Sequence, residues 1–258
     1  MPPLTRRARR ETTRKLAGAL AALVMLAGCA TSGPNHVYVA TAGQPDIADL
    51  GPNPKQLSAV LAPGESAVGL AYDFNTDHLF VRVAPAQVIR VIERPSGKIL
   101  REMPLPADLH TAAPADLAIR SSDRHLFALH PGGRAVVELS LFGEFIQEIA
   151  LTGTDARSTG LAYDQKNQQL LVLTSENSPR IGTVGSNGHV TYNVTLPGGV
   201  SAVSLGYDSE ARHFLVPLAD GRGVGEFDAT GKLGATHPVD GQPVTAIDAG
   251  PRSFVRVF

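Results

Sequence analysis

Asp116 and Asp248 are acids set inside otherwise small or apolar runs, Ala115-Asp-Leu-Ala-Ile119 and Ala246-Ile-Asp-Ala249. Carboxylates placed this way could converge on a metal ion, the arrangement a metal-dependent hydrolase or lactonase needs. A second set of polar residues lies in loops: Glu65, His110, His130, Arg134, Arg157, Glu176, Asp220 and Arg222. Loops carry function more often than the elements they join, and His110, His130, Arg157 and Arg222 are the candidate contacts for a ligand or protein partner. His78, His125 and His213 recur just ahead of apolar runs, and Asp73, Asp164 and Asp208 end another recurrent run. Strand initiation explains the first trio, and hydrogen bonding to loop backbone explains the second. No serine nucleophile elbow, His-Glu-x-x-His zinc motif or phosphate loop is present. No catalytic residue is assigned on this basis, and neither a metal nor another cofactor is expected. Cys29 is the only cysteine, which excludes an internal disulfide and a multi-thiolate metal site.

These residues are positioned by a repeat. Gly69-Leu-Ala-Tyr-Asp73 returns letter for letter at 160–164, with looser copies at 116–120 (DLAIR) and 204–208 (SLGYD). The copies start 47, 44 and 44 residues apart, a period that marks propeller blades. Small and large residues alternate in three copies, as in a strand with one crowded face. The narrow axis of a propeller is expected to face the small residues. Nine residues after each start comes a run apolar on both faces, such as His78-Leu-Phe-Val81 or His213-Phe-Leu-Val216, suited to a sandwiched strand. A more amphipathic third run follows, then a glycine on schedule at 97, 143, 188 and 231, then a fourth strand. The recurring glycine predicts a hairpin turn with positive φ in every blade.

The expected fold is all-β, a propeller of four-stranded antiparallel blades following an N-terminal signal helix. Four units start at 69, 116, 160 and 204. His36–Ala40, Ile47–Leu50 and Gln56–Leu61 read as the second, third and fourth strands of a further blade. Ala246–Ala249 and Ser253–Phe258 read as first and second strands. That makes about 21 strands, against 20 for five blades and 24 for six, so five are favoured over six by this strand arithmetic. The two chain ends would then share the closing blade and leave no open sheet edge.

The first 28 residues are set apart by composition. Arg6, Arg7, Arg9, Arg10, Arg14 and Lys15 precede the apolar run Leu16–Leu26, which ends in Leu26-Ala27-Gly28-Cys29. The run is shorter than the roughly 20 residues that cross a bilayer. The pattern resembles the lipobox of bacterial lipoproteins. The resemblance implies a signal peptide at 1–28, a diacylglyceryl group on Cys29 with acylation of its new amine, a lipidated tether at 29–35 and a propeller domain at 36–258. It also implies a cell-envelope address. In such proteins an aspartate after the cysteine retains the chain in the inner membrane, and Ala30 at that place implies the outer membrane, on its periplasmic side. Residues 1–28 hold six of the 23 Lys+Arg and one of the 24 Asp+Glu, leaving 17 and 23, a net charge of −6. A moderately acidic domain without a basic stripe argues against nucleic acid as a partner.

The blade repeat itself, Gly69-Leu-Ala-Tyr-Asp73 followed by His78-Leu-Phe-Val81, resembles that of bacterial propellers of the NHL and YncE-like kind, over roughly residues 60–220. The chain has no tryptophan, unlike WD40 and quinoprotein-type blades. The resemblance implies a platform that binds a protein or envelope ligand, with a periplasmic metal-dependent hydrolase or lactonase as the alternative. In propellers the loops entering the first strand and those joining the second and third open on one face, where function is expected.

Overall fold

The computed structural model describes residues 35–51, 55–221, 223–240 and 242–251. The expected signal helix, Cys29, most of the tether, Arg222 and the strand expected at Ser253–Phe258 lie outside the described residues. Among those described, no helix is long and apolar enough to cross a membrane.

The strands in chain order are β1 (Asn35–Thr41), β2 (Ile47–Asp49) and β3 (Lys55–Leu57), then β4 (Ser66–Asp73), β5 (His78–Ala84), β6 (Val88–Glu93) and β7 (Lys98–Pro104). After a short 3-10 turn at Ala107–Leu109 come β8 (Leu117–Arg120), β9 (His125–Leu129), β10 (Ala135–Ser140) and β11 (Phe145–Ala150). They are followed by β12 (Ser158–Asp164), β13 (Gln169–Thr174), β14 (Arg180–Val184) and β15 (Val190–Thr195). The last are β16 (Gly206–Asp208), β17 (His213–Pro217), β18 (Gly223–Phe227), β19 (Leu233–Pro238) and β20 (Val244–Pro251). They form five antiparallel sheets of four strands each. Blades 1 to 4 are β4–β7, β8–β11, β12–β15 and β16–β19, and blade 5 joins both ends of the domain in the order β20-β1-β2-β3. The first strands β4, β8, β12, β16 and β20 neighbour one another around the axis. This is the five-bladed propeller expected, closed by β20 pairing with β1 from Asn35↔Pro251 to Thr41↔Val244.

The core is divided in the same way. Each of five buried apolar clusters is shared by two adjacent blades. Leu70 and Tyr72 pack with Tyr38 and Ile47 of blade 5, whereas Ala71 of the same strand packs with Leu117 and Ile119 of blade 2. The small residues of the repeat therefore face the next blade rather than the axis, which corrects the orientation expected from the alternation. The reason is proximity: a Cβ on Gly69 would lie 2.7 Å from the Ala115 carbonyl oxygen, and one on Gly160 would lie 2.9 Å from the Leu205 nitrogen. First strands converge near the axis, so the side facing the next blade has room for little more than hydrogen.

Local chemistry follows the repeat. Gly97, Gly143, Gly188 and Gly231 all have positive φ, between +71° and +88°, as the hairpin turns require. Asp73, Asp164 and Asp208 accept hydrogen bonds from the backbone of the next turn, at 3.2 Å from Asn75 N, 3.0 Å from Lys166 N and 2.9 Å from Glu210 N. Replacing Gly69 by Ala is expected to lower stability by about 1–3 kcal/mol through overpacking. Gly198→Ala, where no atom lies within 4 Å, serves as the near-neutral control, and denaturant midpoints of the two variants make the comparison.

Candidate functional site

The first strands expose their inner edges to the axis, and a strand edge carries backbone N–H groups that need acceptors. Asp116 takes the Gly69 place of the repeat in blade 2 and supplies them. Its Oδ2 accepts from Leu161 N at 3.1 Å, Leu205 N at 2.9 Å and the Ser204 hydroxyl at 2.9 Å, while Oδ1 accepts a longer bond from Leu70 N at 3.4 Å. Ser204 Oγ in turn accepts from Ile247 N at 2.9 Å, and Asp248 accepts from Tyr72 N at 2.7 Å. Two acids and one serine thus tie all five blades together. Burial pushes the Asp116 carboxyl up to about 7, against the hydrogen bonds from Leu205, Leu161, Ser204 and Leu117 that pull it down. Burial likewise raises Asp248 well above the usual carboxylate range, and the nearby Asp116 adds to the rise. Among the described residues, no three His, Cys, Asp or Glu side chains gather as a metal cage would require.

The loops entering the first strands and those joining second to third strands lie together on one face, here the upper face. Most of the polar residues expected there brace loops. Fully buried Arg82, which the sequence reading passed over, donates to Ala115 O at 3.0 Å, to Leu129 O at 2.8 Å and to Leu109 O, holding the crossing from blade 1 to blade 2. Burial lowers its guanidinium to about 10, with Asp116 opposing. An arginine inside the apolar run of β5 is the signal that marks it. Glu65 receives Arg90 Nη1 at 2.8 Å, and this bond holds its carboxyl below the usual range. Glu176 pairs with Arg180 at 2.9 Å.

Of the four candidate contacts, His130 and Arg157 are brought together. The 130–134 loop of blade 2 packs on the crossing into β12: Ser158 N donates to Gly133 O at 3.0 Å, and Arg157 donates to Pro131 O. Arg134 donates from the same loop to Thr154 O at 2.9 Å and to Asp155 O. Arg134 and Arg157 stay exposed, so blades 2 and 3 present two cations beside His130. His110 sits on the separate crossing between blades 1 and 2, with its ring nitrogen 3.0 Å from Leu105 O. Gly198, Gly199 and Asp220, from two further loops of this face, border a hollow of about 480 Å³ on the flank of blade 4.

A groove absent from the sequence reading opens between blades 4 and 5. It encloses about 430 Å³, lined by Val37, Leu50, Leu215 and Ala249 together with Asp208, His213, Glu226 and His237. Glu226 bridges two imidazoles, with His213 Nδ1 on one oxygen and His237 Nε2 on the other at 2.8 Å. Burial works to raise the Glu226 carboxyl, but the two histidines outweigh it and hold it low. Such a trio can hold and pass a proton. Its signal was a spacing: His36–Asp49, His125–Glu138 and His213–Glu226 are each 13 residues apart and paired. A histidine at the start of the second strand, its first residue at His125 and His213 and its second at His36, therefore reaches an acid on the third strand in three blades, which makes the pair a blade device first. His78, which also opens its strand, has Val91 at that spacing.

No protein-family model matches the chain, and neither does any curated protein. Solved structures do. A propeller in a crystal structure of a nidogen/laminin complex aligns at 15% identity with a TM-score of 0.59, covering 83% of this chain and 98% of that one. A streptogramin B lyase aligns at 19% identity with a TM-score of 0.44, over 80% of this chain and 60% of that one. A virginiamycin B lyase from Staphylococcus aureus aligns at 13% identity with a TM-score of 0.47, over 79% and 69%. At such identities the likeness to the nidogen/laminin propeller concerns the fold alone.

The axis makes a pH prediction. The folded-state pKa of Asp116 is raised from 3.8 to about 7, so the native state binds the proton more tightly than the unfolded chain. Its contribution to stability is present below about pH 4 and is lost as pH rises through about 7. Asp248 acts in the same direction. Wild type is expected to lose part of its stability between pH 5 and 8, and Asp116→Asn to lose less, measured as denaturant midpoints across that range.

Proposed function

We propose that this chain is a lipid-anchored protein of the bacterial envelope, on the periplasmic side of the outer membrane, whose propeller is a non-catalytic platform for a protein or envelope ligand. The observation that carries the non-catalytic part is the engagement of Asp116 by four hydrogen bonds across three other blades, and of Asp248 by the Tyr72 amide. A hydrolase of the propeller type would need these carboxylates as metal ligands, and binding metal would compete with the amides that they now accept from. The binding surface is the upper face, centred on His130, Arg134 and Arg157 and extended by His110 and Arg222. Cations fixed on braced loops lose little freedom when a partner arrives. A protein partner is supported by the propeller with a TM-score of 0.59, which is part of a protein–protein complex. The anchor is supported by the basic start, the apolar run and Leu26–Cys29.

Two experiments test the two halves. Wild type is expected to take up a metabolic lipid label and remain with membranes, and Cys29→Ala to do neither; equal labelling of both removes the anchor. A photo-cross-linker at position 130 is expected to give a discrete adduct in cells. Arg157→Glu with Arg222→Glu should lower its yield about tenfold, the scale of losing one to two charged contacts. An unchanged yield would move the binding surface elsewhere.

A further inference from the structure

The large apolar side chains left exposed among the described residues are Ile99, Leu100, Phe142, Phe145, Ile146 and Leu233. All six stand at the same end of the outer strands. Ile99 and Leu100 open β7, Phe145 and Ile146 open β11, Leu233 opens β19, and Phe142 lies in the turn before β11. This end carries the turns joining third to fourth strands, opposite the face with His130 and Arg157. Five of the six belong to adjoining blades 1 and 2. The blades are clasped here, with the Arg101 guanidinium 4.9 Å from the Phe142 ring centre and its Nη2 donating to Leu141 O at 2.8 Å. Phe142 and Phe145 are 73% and 62% exposed, and with Ile99, Leu100 and Ile146 they concentrate exposed apolar side chains at one end of two adjoining blades, where ordinary scatter is single.

The N-terminal end of the described chain lies on the same side. β1 is the second strand of its blade and runs antiparallel to the first strand β20, so it begins at Asn35 on this lower face. Five residues separate Cys29 from Asn35, and the six Cα steps between them reach at most about 20 Å. A lipid on Cys29 therefore brings the lower side of the propeller, and not the upper, to the membrane.

We propose that the lower rim of blades 1 and 2 docks on the lipid bilayer, with Phe142 and Phe145 entering the boundary between headgroups and acyl chains, flanked by Ile99, Leu100 and Ile146. The proposal rests on the lipid-anchor reading above. With a net charge of −6 in residues 29–258, attraction to anionic lipid is not the driving force. The contact is apolar, works on zwitterionic lipid and adds to the acyl chains, as two weak membrane signals together do. It also turns the face bearing His130 and Arg157 away from the membrane, toward soluble or extended partners.

The absence of tryptophan makes single-tryptophan reporters clean. Lipidated full-length Phe142→Trp and, as the upper-face control, Ala112→Trp are placed with phosphatidylcholine vesicles whose acyl chains carry bromine. Flotation reports anchoring, and quenching reports depth. The expected result is that both proteins float, while Phe142→Trp shifts to the blue and is quenched several-fold more than Ala112→Trp. Flotation with equal or absent quenching overturns the docking surface and leaves the anchor standing. Failure to float after lipid labelling overturns the anchor and this proposal with it. A blue shift of Phe142→Trp without vesicles that grows with protein concentration overturns it in favour of a second copy on the same patch.

Discussion

Backbone N–H groups on the inner edges of five converging strands have to be satisfied where water is scarce and side chains barely fit. An unpaired buried donor costs about 1–3 kcal/mol, and the axis presents several. Asp116, Ser204 and Asp248 answer this constraint from three of the five blades, each from a position where the repeat otherwise places a small residue. The acids accept burial, with their protons held more tightly than usual, because the alternative is a ring of orphaned amides. The same crowding explains why Gly69 and Gly160 abut the next blade directly.

Radial order then follows outward. Between the axis and the rim, each blade contributes to two apolar clusters, so no blade has a core of its own and closure by β20 and β1 is part of the core rather than an ornament. Crossings on the upper face are braced by arginines, Arg82 and Arg90 from the strands beneath and Arg134 from a neighbouring loop, whose donors end on loop carbonyls. Rigid loops with exposed cations suit recognition. The interface between blades 4 and 5 departs from this pattern: its cluster is small and leaves the groove around Glu226.

How much of this could be read from the chain depends on whether a feature repeats. The copies at 69, 116, 160 and 204 specify first strands because every blade needs the same alternation. Gly97, Gly143, Gly188 and Gly231 specify turns because only positive φ serves there. The direction of the small face was misread, since period-two alternation separates two faces without saying which neighbour each one meets. Asp116 and Asp248 were legible as exceptions, but a lone acid in an apolar run looks the same whether it awaits a metal or an amide. His130 and Arg157 were placed on one face by topology, whereas the bracing by Arg82 depends on contacts between units and the bridge at Glu226 needs His237 from the outer strand of the same blade. The 13-residue spacing of His and acid was present in the letters and carried the pairing for three blades.

The account turns on the axial carboxylates being acceptors for the ring rather than ligands for a metal. Amide resonances of Leu70, Tyr72, Leu161 and Leu205, followed by NMR as pH and then Ca²⁺ or Zn²⁺ are varied, test this most directly. The account predicts that Leu161 and Leu205 shift together with a shared midpoint near 7, the value to which Asp116 is pushed, and that none of the four responds to stoichiometric metal. Saturable shifts of these amides on adding one equivalent of metal, with loss of the shared pH midpoint, would contradict it.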